Sequence, residues 1–219
     1  MDSNALIDGL ITYLCFLPLL TFHEFAHAWV AWKCGDDTAR LQGRVTLNPI
    51  AHMDPLGTVI LPLLVVILGA TGGGAVGRFI IGWGKPVPVN INNLGHRRRD
   101  DTLVSLAGPL MNLILPVGIL VLAKVGVMIQ AFWLVEICLR LSSISLLLCF
   151  FNLLPIPPLD GSHVLKNAVG MSDELYWRLC QYGFIMVIVA INITPIRQLL
   201  WWLTNSTFGA LLYLFGIGS

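Results

Sequence analysis

The residues best equipped for chemistry stand together near the start of the chain, in Thr21-Phe22-His23-Glu24-Phe25-Ala26-His27. Two histidines four residues apart lie one turn above each other on the same face of a helix, so both imidazoles can bind one metal ion. Glu24, beside His23, can act as general base on water that the ion activates. The surrounding run is apolar, and an ionisable side chain in a membrane helix costs ~2.5–3.5 kcal/mol at the bilayer centre. Three such groups on two adjacent turns call for a compensating partner. A bound cation supplies one; without it, the three would have to face a wet cavity.

A catalytic zinc site takes three protein ligands and keeps a fourth position for water, so a third ligand must come from elsewhere. Acidic residues within the apolar blocks are few. Glu136 stands four residues before Arg140, the spacing of a helical ion pair. Asp160 lies in Phe151-Asn152-Leu153-Leu154-Pro155-Ile156-Pro157-Pro158-Leu159-Asp160-Gly161-Ser162-His163, where three prolines forbid a regular helix. Asp160 has two readings, a metal ligand or an N-cap for a helix beginning at Gly161. The buried, proline-stiffened approach favours the ligand. His163 reads as a surface residue or as a partner of a ligand, and His52 and His96 as solvated loop residues. Trp29, Trp32 and Trp83 read as interface anchors or packing. The five cysteines (Cys15, Cys34, Cys138, Cys149, Cys180) show no C-x-x-C spacing and read as small hydrophobes rather than disulfides or ligands.

The elements that must position these groups belong to a membrane. Of the 219 residues 56% are hydrophobic and 11% charged, against roughly 25% charged in soluble domains. Five apolar blocks read as spanning helices, at 5–32, 102–125, 132–154, 175–193 and 198–216. About 20 apolar residues suffice for each. A sixth, 56–70, is short; it opens at Asp54-Pro55 and stops at Thr71-Gly72-Gly73-Gly74. After it, 78–89 carries the glycine, proline and β-branched density of extended chain, and 40–47 looks extended too. The fold class expected is therefore all-α, a bundle of about five to six membrane helices with a re-entrant hairpin or short β segment. It forms a single domain over 1–219, with a core over 1–170 and C-terminal helices over 171–219. The first apolar block lacks a basic leader and reads as retained rather than cleaved. A net charge of +1, with no basic run interleaved with aromatics, gives no sign of a nucleic-acid partner. No inverted repeat of the transporter kind is visible.

Three separated motifs, the His-Glu-x-x-His in a first membrane helix, Ala107-Gly108-Pro109-Leu110-Met111-Asn112 in a middle one, and Asn152-Leu-Leu-Pro…Leu159-Asp160-Gly161 downstream, resemble the site-2 protease family of intramembrane zinc metalloproteases. The resemblance covers about residues 13–168 and is closest to short bacterial and archaeal members without PDZ or CBS domains, which have close counterparts of Trp83–Val89 and Leu47-Asn48-Pro49. It implies one zinc held by His23, His27 and Asp160, with Glu24 as catalytic acid/base. Asn152 would help hold the substrate or the developing oxyanion, and Asn112 would serve packing more than chemistry. It also implies cleavage of other proteins' transmembrane segments, within a prokaryotic cell membrane. Ser162 stands where many relatives have a second glycine.

The end of the first helix carrying His27 must meet Asp160 at one depth. If 56–70 crossed fully and 71–101 stayed outside, Asp160 would emerge on the wrong side. A hairpin in which 56–70 descends and 78–89 returns repairs this. Lys33, Arg40, Arg44, Arg97, Arg98, Arg99, Lys166 and Arg178 then share one side, which the positive-inside rule makes cytoplasmic. The extended 80–89 would offer an edge to which an unwound substrate could add as a strand. Two other functions fit the ligands. A transporter or metal-handling protein would need a continuous polar path, for which the later helices offer few charges. An inactive relative that binds membrane proteins would be expected to lack Glu24.

Overall fold

Asp2 starts the first helix: its carboxylate accepts hydrogen bonds from the N–H groups of Asn4 and Ala5 at 3.0 and 3.4 Å, satisfying donors left over at a helix start. Helix α1 then runs through Ser3–Lys33. At about 1.5 Å per residue it is longer than the ~30 Å hydrocarbon core, so both ends reach past the apolar layer. The structure, a computed structural model, describes residues 2–71 and 82–217, and no strand forms among them.

After α1 come two one-turn helices, α2 (Thr38–Leu41) and α3 (Pro49–His52). Asp54 accepts from the N–H of Leu56 and of Gly57, and caps a π-helical turn, Pro55–Ile60, that continues into α4 (Leu61–Ala70). A 3-10 turn at Ile91–Asn93 precedes α5 (Arg97–Met128), which a short reversal joins to α6 (Phe132–Asn152). Then follow α7 (Asp160–Val169), α8 (Asp173–Cys180), α9 (Gly183–Asn192) and α10 (Thr194–Phe215). Helices α1, α5 and α6 pack on one another; α4 lies on α1, α7 on α5, and α10 on α6 and α5. Small residues permit the close approach that replaces a hydrophobic drive between helices in lipid: Ala31 meets Val104 and Leu94, and Ala123 and Cys138 meet Leu120. Ser145 Oγ donates to Asn112 O across the α5–α6 seam at 2.7 Å.

Among the described residues three helices, α1, α5 and α6, are long and apolar enough to cross a membrane, and α8 with α9 makes a fourth if the bent pair is one span. Several expectations need correction here. The block 175–193 is not one straight helix but breaks with a 65° bend. A methyl group on Gly183, just after the break, would meet Pro157 O at 2.8 Å, so the chain turns where it presses on the proline loop. The block 198–216 forms α10, which is long enough but carries Thr204-Asn205-Ser206-Thr207 at its middle. Residues 38–41 coil into α2, so only 42–47 of the stretch read as extended is non-helical. Of the 78–89 segment, 78–81 lies outside the described residues, and 82–89 is extended chain that pairs with no strand.

That extended chain is fixed from one side. Trp83 N donates to Gly57 O at 3.1 Å, and Trp83 O accepts from Thr58 Oγ1 at 2.7 Å. Lys85 N donates to His52 O at 2.8 Å, while its carbonyl accepts from the Arg44 guanidinium. Beyond it, fully buried Asp36 accepts from Asn90 N at 2.7 Å and Asn93 Nδ2 at 3.0 Å, and from both N–H and hydroxyl of Thr38. Burial opposes ionisation of Asp36, but these hydrogen bonds hold its carboxyl below the usual range. The ends of α1 mark two levels in the bundle: Asp2 N donates to Ala70 O at 2.8 Å, and Gly95 N donates to Cys34 O at 3.0 Å.

Candidate metal centre

Because His23 and His27 are one turn apart on α1, their rings reach the same point: the two Nε2 atoms are 3.0 Å apart and both rings are buried. Asp160 opens α7 directly after the proline loop. Its carboxylate brings Oδ2 to 3.1 Å from His23 Nε2 and Oδ1 to 3.4 Å from His27 Nε2. Burial opposes charge on Asp160, yet the imidazoles of His27 and His23 hold its carboxyl well below the ordinary carboxylate range.

The arrangement fits zinc on three observations. Ligands at 2.0–2.2 Å in a tetrahedron stand about 3.3 Å from one another; the two Nε2 atoms are 3.0 Å apart, and the two Asp160 oxygens lie 3.1 and 3.4 Å from one nitrogen each. Asp160 Oδ2 is buried yet makes no hydrogen bond despite its short distance to His23; oxygen and nitrogen face a common point rather than each other. Gly108 on α5 leaves that point open: a methyl group there would stand 2.3 Å from His27 Nε2 and 2.6 Å from His23 Nε2. Among the described residues these are the one set of three His, Cys, Asp or Glu side chains able to share an ion.

The outer nitrogens of both rings are also engaged. His27 Nδ1 donates to Val104 O at 2.7 Å, and His23 Nδ1 meets the side-chain amide of fully buried Asn112 at 3.1 Å. Such outer contacts set ring orientation and tautomer at metal sites. Glu24 points to the extended segment, where a methyl group on Gly84 would be 3.0 Å from its Oε1.

The structure thus brings His23, His27 and Asp160 together with Glu24 beside them. Asn152 sits at the end of α6 with its Nδ2 donating to Leu148 O at 2.9 Å, on its own helix. His163 lies 3.3 Å from buried Asp101 rather than at the ligand cluster. His96 is exposed as expected. His52 is a correction: it is fully buried, its Nε2 donating to Thr46 O at 2.8 Å, because the loop folds back on itself to clamp Lys85. Glu136 does pair with Arg140 at 3.7 Å, but the closer partner of Arg140 is Asp8 of α1, at 2.5 Å. All five cysteines are free. Sequence reasoning missed the contact of Asn112 with a ligand and the burial of Arg44 and Lys166.

Residues 118–193 match Peptidase family M50. The chain is 36% identical over 223 aligned residues to "Putative zinc metalloprotease YwhC" of Bacillus subtilis, covering 94% of this chain and 92% of that protein. It is 34% identical to "Putative zinc metalloprotease Rip2" of Mycolicibacterium smegmatis, over 82% of this chain and 65% of that one. A Rip2 of Mycobacterium tuberculosis is 34% identical over 69% of this chain and 54% of its own length. No solved structure matches. A buried His-His-Asp cluster between apolar helices, in a chain with such relatives, leads to one identification: the chain belongs to Peptidase family M50 and is an intramembrane zinc metalloprotease.

Proposed function

We propose that His23, His27 and Asp160 hold the zinc and that Glu24 is the acid/base that cuts peptide bonds within or near the transmembrane segments of other membrane proteins. The observation that carries this is the convergence of three donor atoms, with Gly108 leaving room between them and Glu24 one residue from His23. Zinc bound there supplies a Lewis acid for the scissile carbonyl and for the attacking water. Glu24 takes the proton from that water and passes it to the departing amine. For Asn152 we assign a substrate contact through its amide oxygen or second amino hydrogen, since one hydrogen is committed to Leu148 O.

The substrate, once unwound, adds to 82–89 on the side away from His52 and Gly57, a step in which buried Gly84 must become accessible. Trp83 and Lys85 spend their backbone groups on the wall behind them, whereas Gly84 N–H and C=O have no partner among the described residues. A methyl group on Gly84 would also lie 3.0 Å from Glu24 Oε1. Strand addition there lays a peptide beside the base.

The hairpin reading draws support from the two ends of α1. Ala70 adjoins Asp2, and Gly95 adjoins Cys34, so residues 35–70 run from the level of one end of α1 to that of the other, and Gly95 is again at the level of Cys34. Together with α8–α9 and α10 this makes five passes plus the hairpin. The active-site end faces the cytoplasm on this reading, with exposed Lys33, Arg40, Arg97, Arg98, Arg99 and Arg178 there and Lys124 and Arg197 at other levels. Arg44 and Lys166 are buried and drop out of that count.

The test is Glu24→Gln, which keeps size while removing the charge and the basicity. The variant should retain zinc, and cleavage of a single-span substrate in detergent should fall by at least the ~10²–10⁴-fold that acid–base groups contribute. Near-normal cleavage by zinc-loaded Glu24→Gln would remove Glu24 from the mechanism. Elemental analysis of His23→Ala and Asp160→Ala tests the ligand set on its own.

A further inference from the structure

Resting on that ligand reading, we infer that Asn112 is a positioning residue for the metal: its side-chain oxygen accepts the Nδ1–H of His23 and fixes this ring with Nε2 toward the ion. The amide is fully buried on α5 and lies 3.1 Å from His23 Nδ1. His23 Nε2 is the nitrogen that faces His27 Nε2 and Asp160, at 3.0 and 3.1 Å. An imidazole that gives its Nε2 lone pair to a metal carries its proton on Nδ1 and needs an acceptor there. An amide nitrogen has no lone pair to offer; the amide oxygen does.

An asparagine amide presents either atom to the same place by a half-turn about its last side-chain bond. With the nitrogen toward His23, Asn112 Oδ1 is buried without a partner. The half-turn gives that oxygen the Nδ1–H and sends the amino group to the oxygen's former place. The requirement for an acceptor at Nδ1 of a metal-bound ring therefore selects the orientation with the oxygen toward His23. His27 is held in parallel fashion, its Nδ1 donating to Val104 O at 2.7 Å. One ring is thus aligned by a backbone carbonyl and the other by a side chain, both from α5. Only the second can be altered by substitution. The backbone carbonyl of Asn112 accepts from Ser145 Oγ at 2.7 Å, which ties this stretch of α5 to α6.

The experiment measures zinc affinity by chelator competition on purified full-length protein, with thermal stability of the metal-free form measured alongside. Outer-shell partners of metal ligands are worth roughly 10- to 100-fold in metal affinity. Asn112→Ala removes the acceptor and should weaken zinc binding by that factor. Asn112→Asp offers only acceptors at the same place and should bind within about threefold of the parent or more tightly. Unchanged affinity in Asn112→Ala overturns the inference. So does equal weakening in Asn112→Asp and Asn112→Ala with metal-free stability unaltered, because that pattern demands the amide nitrogen. Should Asn112→Ala fail to fold, the Asn112→Asp result decides alone. Failure of the ligand reading shows differently, as a parent protein without zinc.

Discussion

The guanidinium of Arg44, 4% exposed, donates to the carbonyl of Lys85 and so holds the extended segment from behind, one residue past the glycine that faces Glu24. A hydrogen bond from a charged donor is worth ~1.5–3 kcal/mol, and each ~1.4 kcal/mol is tenfold in rate. Arg44→Met, which keeps the bulk, should lower cleavage about 10- to 150-fold while zinc content stays at one per chain. Arg44→Lys should recover part of the loss. Gel-based cleavage with metal analysis of the same samples checks both. Wild-type rates in Arg44→Met would show that the segment needs no such clamp.

Gly108→Ala tests the opening between the ligands. The added methyl group would stand 2.3 Å from His27 Nε2 and 2.6 Å from His23 Nε2, on the ground the ion needs. Purified Gly108→Ala should carry less than about a tenth of the parent's zinc, as bonds of ~2.0–2.1 Å leave no space for a methyl group. Gly118→Ala on the same helix meets nothing within 4 Å and should bind zinc normally, with up to ~1 kcal/mol added helix stability. A zinc-loaded Gly108→Ala protein would mean that the ion sits elsewhere.

The convergence of His23, His27 and Asp160 was legible because the chemistry of these side chains is local or rare. His23 and His27 announce themselves through helical spacing, and Asp160 through the scarcity of acids in apolar sequence. The contact of Asn112 with His23 is different, since it depends on how far α5 slides along α1, which no short-range pattern encodes. His52 was misread for the same reason: a polar loop looks solvated until it folds back on Lys85. The apolar run 175–193 shows no sign of its bend, because the cause, Pro157 pressing on Gly183, is remote in sequence. Arg140 displayed its helical neighbour Glu136 and hid its stronger partner Asp8, 132 residues away.

His52 should make stability fall in mild acid. Burial and the nearby Arg44 push its pKa below 6.5, outweighing the hydrogen bond to Thr46 O. Its Nδ1 is buried without a partner, so protonation would place an unsatisfied charged N–H in the interior. The folded-state pKa is depressed, so the His52 contribution is fully present above the unfolded value and declines as pH falls below it toward the folded one. As pH falls below the unfolded value stability should decline, with a slope below the ~1.4 kcal/mol per pH unit of a full proton. Thermal melts in detergent should show this slope in the parent and a flatter one in His52→Gln. Parallel slopes would assign the acid sensitivity to another group.

Asp101, 4% exposed, joins α5 to the helix that begins with Asp160. It faces His163 Nδ1 at 3.3 Å and Lys166 Nζ at 3.8 Å, and accepts from Asn167 Nδ2 at 2.8 Å. Asp101→Ala leaves Lys166, itself 5% exposed, with Asp173 as its remaining acid and should cost about 3 kcal/mol of stability. Asp101→Ala combined with Lys166→Met should cost less than the sum of Asp101→Ala and Lys166→Met, because their shared contact is then lost only once. Denaturation midpoints of the three variants measure this directly. Additive losses would show that the two side chains act independently.

Pro86 and Pro88 share the free edge of the extended segment with Gly84, two and four residues on. Neither proline has an N–H, so of these three alternate residues Gly84 alone can donate, while all three offer carbonyls. On the proposed strand addition, an incoming chain would meet one backbone donor on this edge, beside Glu24. The same shortage of donors protects the edge from pairing with the identical edge of a neighbouring molecule.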